Sequence, residues 1–360
     1  AMVGLQAVRL LMISLPRIAL LIVNVECRST FSLNLLQWNP HWQCFNESQS
    51  GDCRLNVPRF LDERLALLDV DFSNVVELNI SWTPPSPWKS ISAECSPSNL
   101  DCFDQDTLIY NSDRWVPSEE SNASAKGCIQ DVPHPNRPYI IQHFVSRGGE
   151  AHVIVVGAHY SHCSSIGTLE SAIAQVMGAT GASRVILLAD TNRYSHNFNE
   201  GSSKMCNQTS GWAPSCGLPC PGAAICNTSS ELLAQLLGQR FTGTVVSTDL
   251  KPSCCNSWVG FQFPFDRIIA NFGEAMNTTL LDDPAPVWAG KEFHKAVFGQ
   301  LTVHWDGSNL SEDHVPWRVY GLLALSSAFA FAFLVGCTRR ATSSLQSSLL
   351  GGTRELRSCS

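Results

Sequence analysis

VIVVGAH at residues 153–159 and RVILLAD at residues 184–190 are two apolar runs that end in the polar side chains His159 and Asp190. Between them, LESAIAQVM at residues 169–177 has its apolar residues at helical spacing. Unbroken apolar strands in a strand, helix, strand order indicate a sheet that is covered on both faces. This stretch therefore predicts an α/β domain.

The same patterns extend in both directions along the chain, and we expect one α/β domain over residues 30–316. Short apolar runs predict strands at 32–38, 74–78, 107–110, 243–247, 267–270 and 301–304. Helical spacing predicts helices at 58–68 and 230–237, and polar or Cys-, Pro- and Gly-rich composition predicts loops at 81–103, 116–138 and 195–228.

Both ends of the chain carry apolar segments. Residues 1–27 are typical of a secretory signal peptide, with an uncleaved anchor as the alternative. Residues 319–337 carry no charge, are long enough for a hydrocarbon core of about 30 Å, and are followed by Arg339 and Arg340. We therefore predict a single-pass type I membrane protein with an extracellular or lumenal domain and a cytoplasmic tail at 338–360.

Glycosylation sequons support this topology, because all of them lie between the two apolar segments. The predicted acceptors are Asn46, Asn79, Asn122, Asn207, Asn227, Asn277 and Asn309.

The cysteines point to an oxidising compartment. Setting aside Cys27, Cys337 and Cys359 leaves twelve of the fifteen, an even number that predicts a disulfide framework. A zinc cluster is the alternative for four of them, namely Cys206, Cys216, Cys220 and Cys226.

Net charge limits the substrate classes only weakly. The 360-residue chain is 44% hydrophobic, and its formal net charge of −7 argues against a broad basic surface for nucleic acid. A divalent metal can nevertheless supply local positive charge at a scissile phosphate, so a nuclease is not excluded.

Polar side chains recur where the predicted strands end. Carboxylate and amide oxygens at such ends suit a hard cation such as Mg²⁺, and imidazoles suit proton transfer near neutral pH. The side chains with this placement are Asn39, Glu77, His159, Asp190, Asn192, Asp266, Asp313 and His314.

In their order along the chain, these segments resemble the motifs of the endonuclease/exonuclease/phosphatase superfamily, in its deoxyribonuclease I-like form. The similar segments are LLQWNPHW (35–42), DFSNVVE (71–77), YNSDR (110–114), VVGAHYSH (155–162), LLADTNR (187–193), FDRII (265–269) and EDHVPW (312–317). Val76, Ala189 and Glu312 depart from the family pattern. The resemblance implies a four-layer α/β sandwich that hydrolyses phosphoesters with a divalent metal.

The resemblance also implies residue roles. His314 would be the general base, oriented by Asp266, while Asp190 would orient the water or the metal. Asn192 and His159 would bind the non-bridging phosphate oxygens, and His159 would also protonate the leaving group.

The implied metal, Mg²⁺ or else Mn²⁺ or Ca²⁺, would be held by Glu77 with help from Asn39 and Asp313. A carboxylate paired with His159 would be either Asp104 or Asp106, and the sequence leaves this choice open.

Several substrates remain open. A phosphodiester of nucleic acid is expected, with a sphingomyelin or phospholipid headgroup as the alternative that the membrane tether favours and a phosphomonoester third. Trp82, Trp88, Trp212 and Trp258 would contact lipid in the second case or pack in the core. A catalytically inactive ligand-binding ectodomain is the alternative from another class, and no protein partner is inferable.

Overall fold

A computed structural model describes part of the chain. The described residues are 9–15, 18–24, 29–41, 44–45, 53–95, 104–129, 137–161, 166–195, 198–207, 225–248, 250–254, 263–282 and 294–305. They fall in the compact unit Ala1–Ser308, and the second unit, Asn309–Ser360, lies outside them. The predictions for Asp313, His314, the span at 319–337 and the tail therefore concern residues that are not described.

Within the predicted signal peptide, β1 (Arg9–Leu15) and β2 (Ile18–Asn24) pair as an antiparallel two-stranded sheet. Among the described residues, no helix is both long and apolar enough to cross a membrane. The signal peptide and the transmembrane span remain predictions.

The rest of the described chain forms two larger sheets and four α-helices. In chain order the elements are β3 (Ser29–Trp38), α1 (Cys53–Leu67), β4 (Phe72–Val76), β5 (Trp88–Cys95), β6 (Asp104–Asn111), β7 (Trp115–Pro117), β8 (Ser124–Ile129), β9 (Arg137–Ser146), β10 (His152–His159), α2 (Gly167–Thr180), β11 (Val185–Asp190), α3 (Glu200–Cys206), α4 (Ser229–Leu237), β12 (Val246–Ser247), β13 (Asp266–Ala270), β14 (Ala275–Leu280) and β15 (Val297–Trp305). The first sheet has the order β14-β15-β3-β4-β6-β5, and the second has the order β12-β13-β11-β10-β9-β7 with β8 also paired to β9.

Three apolar clusters show how the layers pack. One cluster lies between the two sheets and joins residues such as Leu35 and Phe72 of the first to Val155 and Leu188 of the second. A second cluster packs α1 against the first sheet, and a third packs α2 and α4 against the second sheet. The predicted mixed α/β class is confirmed, and both sheets are covered on their outer faces.

Three predicted loops contain regular structure that the sequence patterns did not reveal. Residues 81–103 include β5, residues 116–138 include β7, β8 and the first residues of β9, and residues 195–228 include α3. The side chains of β5 and β8 alternate irregularly between buried and exposed positions, so neither strand has the unbroken apolar run of a central strand. The predictions of loop structure there were wrong.

Disulfide bonds link Cys44 to Cys53, Cys95 to Cys128, and Cys206 to Cys226. Because Cys206 and Cys226 are bonded to each other, neither thiolate is available for the alternative zinc cluster. The prediction of a disulfide framework is confirmed for these three pairs.

Candidate active site

Topology brings the polar strand ends to one edge of the sandwich. The parallel neighbours β10 and β11 both end there, with His159 opposite Asp190. Antiparallel β13 begins there, with Asp266 opposite Asp190. In the first sheet β3 and β4 end at the same edge, where β6 and β15 begin. Both sheets therefore contribute side chains to one site, because their parallel strands end at this edge and the antiparallel neighbours begin there.

One half of the site is a histidine–carboxylate pair. His159 at the end of β10 donates its Nδ1–H to Asp104 Oδ2 over 2.8 Å, and both side chains are almost fully buried. Burial and the Arg137 guanidinium lower the pKa of His159, but Asp104 and Asp190 outweigh them and the net shift is upward. Asp104, not Asp106, is thus the carboxylate beside His159.

Arg137, the first residue of β9, lies against this pair. Its Nη1 is 2.9 Å from Asp104 Oδ2, 3.2 Å from Glu77 Oε1 and 3.3 Å from His159 Nδ1. Glu77 follows β4 with a φ of 57°, a left-handed conformation that costs free energy for a non-glycine residue and is enriched at functional sites. Through the contacts of its Nη1, the Arg137 guanidinium partly neutralises the buried carboxylates of Glu77 and Asp104.

The other half is a second histidine–carboxylate pair. His294, which precedes β15, donates Nδ1–H to Asp266 Oδ2 over 2.7 Å, and both residues are buried. Burial alone would lower the pKa of His294, but the charges of Asp266, Asp190 and Glu77 raise it to about 9. Gln37 donates Nε2–H to the other oxygen of Asp266 at 3.3 Å.

Asp190 lies between the two pairs. Its Oδ2 is 3.6 Å from His159 Nε2 and 3.6 Å from His294 Nδ1. Asn39 donates Nδ2–H to the same oxygen at 2.8 Å, and the backbone N–H of Asn192 donates to Oδ1 at 3.1 Å. Burial raises the pKa of Asp190, but the two histidines and these donors lower it below its usual range.

The structure thus brings together six of the eight predicted site residues: Asn39, Glu77, His159, Asp190, Asn192 and Asp266. Asp313 and His314 lie outside the described residues, and the histidine in contact with Asp266 is His294. Sequence reasoning missed His294, Arg137 and Gln37. The available signal for His294 was its position three residues before the strand that pairs with β3.

Two groups of side chains have the composition and spacing to hold a metal ion. They are Glu77, Asp104 and His159, and Asp190, Asp266 and His294, each with ligand atoms within 4.8 Å of one another. In the first group Arg137 contacts all three ligand atoms, and in the second the histidine proton is donated to Asp266. The site holds four buried carboxylates, of Glu77, Asp104, Asp190 and Asp266, and the Arg137 guanidinium contacts only the first two. The oxygens of Glu77 and Asn39 are the hard ligands that Mg²⁺ prefers. The donor set fits a divalent cation.

Charged and aromatic side chains near the site are packed inward. Arg137, Arg193 and Arg267 are buried, and Arg267 donates to the carbonyls of Pro264, Asn227 and Arg193. Trp88 is buried and Trp82 half-buried with its Nε1–H donated to Asp62. Of the four tryptophans considered for lipid contact, Trp82 and Trp88 therefore pack within the protein, and Trp212 and Trp258 lie outside the described residues.

The sequons differ in exposure. Asn79, Asn122, Asn207 and Asn277 are exposed. Asn227 is buried, and its neighbour Thr228 forms a capping box with Glu231 at the start of α4. The packing therefore disfavours a glycan at Asn227, while Asn46 and Asn309 lie outside the described residues.

Comparisons with known proteins give similar structures only. No protein-family model matches the chain, and no curated protein matches it. The similar solved structures include an endonuclease/exonuclease/phosphatase from Bacteroides vulgatus, at 8% identity and a TM-score of 0.46, covering 75% of this chain and 98% of that one. The human Nocturnin catalytic domain with a bound sulfate is also similar, at 13% identity and a TM-score of 0.44, covering 77% of this chain and 98% of that one. A mannosyl-6-phosphatase from Bacteroides thetaiotaomicron is similar at 10% identity and a TM-score of 0.46, covering 75% of this chain and 99% of that one.

Solved structures of the endonuclease/exonuclease/phosphatase superfamily, which the sequence motifs resemble, are thus among those similar to this chain.

Proposed function

We propose that this chain is a metal-dependent phosphoesterase of the endonuclease/exonuclease/phosphatase superfamily that hydrolyses phosphodiester bonds. The observation that carries the proposal is the pair of buried histidine–carboxylate dyads, His159–Asp104 and His294–Asp266, on either side of Asp190. Two imidazoles at one carboxylate supply a base and an acid for in-line displacement at phosphorus.

His294 is the proposed general base, in the role that the sequence motif assigned to His314. Its Nδ1–H is held by Asp266, which fixes the tautomer and leaves Nε2 as the atom that takes a proton from the attacking water. Without a bound cation the pKa of about 9 keeps His294 protonated at neutral pH. Positive charge near Asp190 and Glu77 would lower this pKa, because it offsets two of the charges that raise it.

His159 is the proposed acid for the leaving oxygen. Its raised pKa favours the protonated form, which Asp104 stabilises. Asn192 and His159 together would bind the non-bridging oxygens, and Asp190 would orient the water. After the P–O bond breaks, the leaving oxygen has taken the proton of His159, and His294 holds the proton from water.

A divalent cation, Mg²⁺ or else Mn²⁺ or Ca²⁺, would be held by Glu77 with the amide oxygen of Asn39. It would polarise a phosphoryl oxygen and offset the charge that develops at phosphorus. The role proposed for Asp313 as a further ligand stands on the sequence alone.

The proposed substrate is a phosphodiester, either in nucleic acid or in a small molecule, and a phospholipid headgroup is the alternative. Within the part of the chain that the structure describes, Arg137, Arg193 and Arg267 are buried and so do not offer an outer basic rim to a long duplex. An extracellular or lumenal location is proposed on the three disulfides and the exposed sequons. The membrane anchor is proposed on the sequence alone.

The test is a substrate panel with the full chain expressed through the secretory pathway. Plasmid DNA, RNA, sphingomyelin and bis-(p-nitrophenyl) phosphate are each incubated with Mg²⁺, with Mn²⁺ and with chelator. His294→Ala and His314→Ala are compared with His304→Ala, whose histidine pairs with Glu274 at the protein surface. Metal-dependent turnover that only His294→Ala abolishes supports the proposal. Loss in His314→Ala alone would return the base to His314, and no turnover from folded, metal-loaded protein would favour a ligand-binding ectodomain.

A further inference from the structure

The cluster between the two sheets is apolar except near the site, where polar side chains enter it. Gln37 on β3, Asn74 on β4 and Asp106 on β6 are fully buried. Burial and the charge of Asp104 raise the pKa of Asp106 well above its usual range. Buried amides without partners are costly, so the partners of Gln37 and Asn74 show what keeps them there.

The partners form a path across the sandwich. Gln37 donates Nε2–H to Asp266 Oδ1 at 3.3 Å and accepts at Oε1 from Asn74 Nδ2 at 3.2 Å. The Nδ2 group of Asn74 also donates to the carbonyl of Leu188 at 3.1 Å. Leu188 lies two residues before Asp190 on β11, so two amides of the first sheet hold the two strands of the second sheet that carry Asp266 and Asp190.

A glycine makes room for this path. Gly157 of β10 lies opposite Asn74, and a Cβ atom at Gly157 would clash with Asn74 Oδ1. Glycine inside an otherwise valine-rich strand weakens the strand and often marks a place where another group approaches closely. The missing side chain at Gly157 thus leaves the space in β10 that the Asn74 side chain occupies.

We propose that Gln37 and Asn74 are positioning residues that hold the carboxylate of Asp266, and through it the imidazole of His294, in register with Asp190. This inference rests on the proposed function, in which Asp266 orients the base. Gln37 occupies one carboxylate oxygen and His294 the other, which fixes the rotation of the carboxylate about its Cβ–Cγ bond. A misoriented base costs rate without weakening substrate binding.

Gln37→Met tests the proposal, because it keeps the length of the side chain and removes both hydrogen-bonding groups. We expect kcat on bis-(p-nitrophenyl) phosphate to fall about tenfold or more with KM within about twofold. Asn74→Leu should act in the same direction and serves as the second variant if Gln37→Met does not fold.

Asn34→Leu is the matched control. Asn34 is an amide on the same strand, three residues earlier, that donates to the carbonyls of Leu68 and Asp69 away from the site. It should lower the unfolding temperature to a similar extent while leaving kcat unchanged. In an Asp266→Asn background, Gln37→Met should lower kcat by less than about twofold, because the group it orients has changed.

A second readout does not need activity. The imidazole ¹⁵N spectrum of His294 should show Nδ1 protonated in the wild type and in Asn34→Leu, and an altered Nδ1 signal in Gln37→Met. If Gln37→Met lowers stability as the control does but leaves kcat and the His294 spectrum unchanged, the residue is merely structural and the inference is wrong. If the wild type hydrolyses nothing, the proposed function fails, and the spectrum alone decides whether Gln37 positions His294.

Discussion

Replacing His294 should remove a pH-dependent part of the folding free energy. The pKa of His294 is about 9 in the folded protein, against 6.5 for an unperturbed histidine. At about 1.4 kcal/mol per pH unit, the buried carboxylates favour the imidazolium by about 3 kcal/mol. Since the folded-state pKa is the higher one, this stabilisation is fully present below pH 6.5 and is lost as the pH rises through 9.

Urea unfolding of the wild type and His294→Gln, measured from pH 6 to pH 10 with chelator present, tests this. The difference between the two free energies of unfolding should shrink by about 3 kcal/mol across that range, with the wild type losing stability toward high pH. Parallel curves over the whole range would refute the argument, because they would show that Asp266 and Asp190 do not raise the proton affinity of His294.

Three further predictions concern the other residues of the site. Glu77→Gln should weaken Mn²⁺ binding, measured by calorimetry, by about tenfold or more, whereas Glu63→Gln on the exposed face of α1 should not change it; equal affinities would remove Glu77 from the metal site. Asp104→Asn should lower the pKa of His159, read from its imidazole NMR titration, because the largest charge that raises it is lost; an unchanged titration would contradict the dyad. Arg137→Met should lower the free energy of unfolding by about 3–5 kcal/mol, because it leaves the buried carboxylates of Glu77 and Asp104 without their cation. Arg59→Met, which removes an exposed ion pair, should change the free energy of unfolding by no more than about 0.5 kcal/mol. Similar losses in both variants would show that groups other than Arg137 stabilise the two buried carboxylates.

The sequence predicted the central strands and the carboxylates at their ends. β10 and β11 are buried on both faces, so their residues are unbroken apolar runs, and His159 and Asp190 mark where those runs stop. For these two central strands, the apolar composition of the sequence therefore shows that both faces are buried.

Other parts of the site were not visible in the sequence for physical reasons. Arg137 opens β9, a strand whose Pro138 and preceding polar residues resemble a loop. His294 lies three residues before β15, and the residue directly before it is Phe293, whereas the Asp313–His314 pair has the adjacent carboxylate that makes it resemble the closing motif. The pairing of β15 with β3, which brings His294 to Asp266, is a long-range contact that no local pattern encodes.

The choice between Asp104 and Asp106 was undecidable for a similar reason. Both residues lie on one face of β6, and their different environments depend on which neighbours cross from the second sheet. Asp104 meets His159 and Arg137, which lower its pKa despite burial. Asp106 does not contact these cations, and burial together with the charge of Asp104 raises its pKa.

The most direct test of the proposed chemistry is the rate of bis-(p-nitrophenyl) phosphate hydrolysis with Mg²⁺ for the wild type, His294→Ala and His304→Ala. We expect His294→Ala to be slower than the wild type by at least about a hundredfold and His304→Ala to match it. Equal rates for His294→Ala and the wild type would contradict the assignment of this pair of dyads as a phosphodiesterase site.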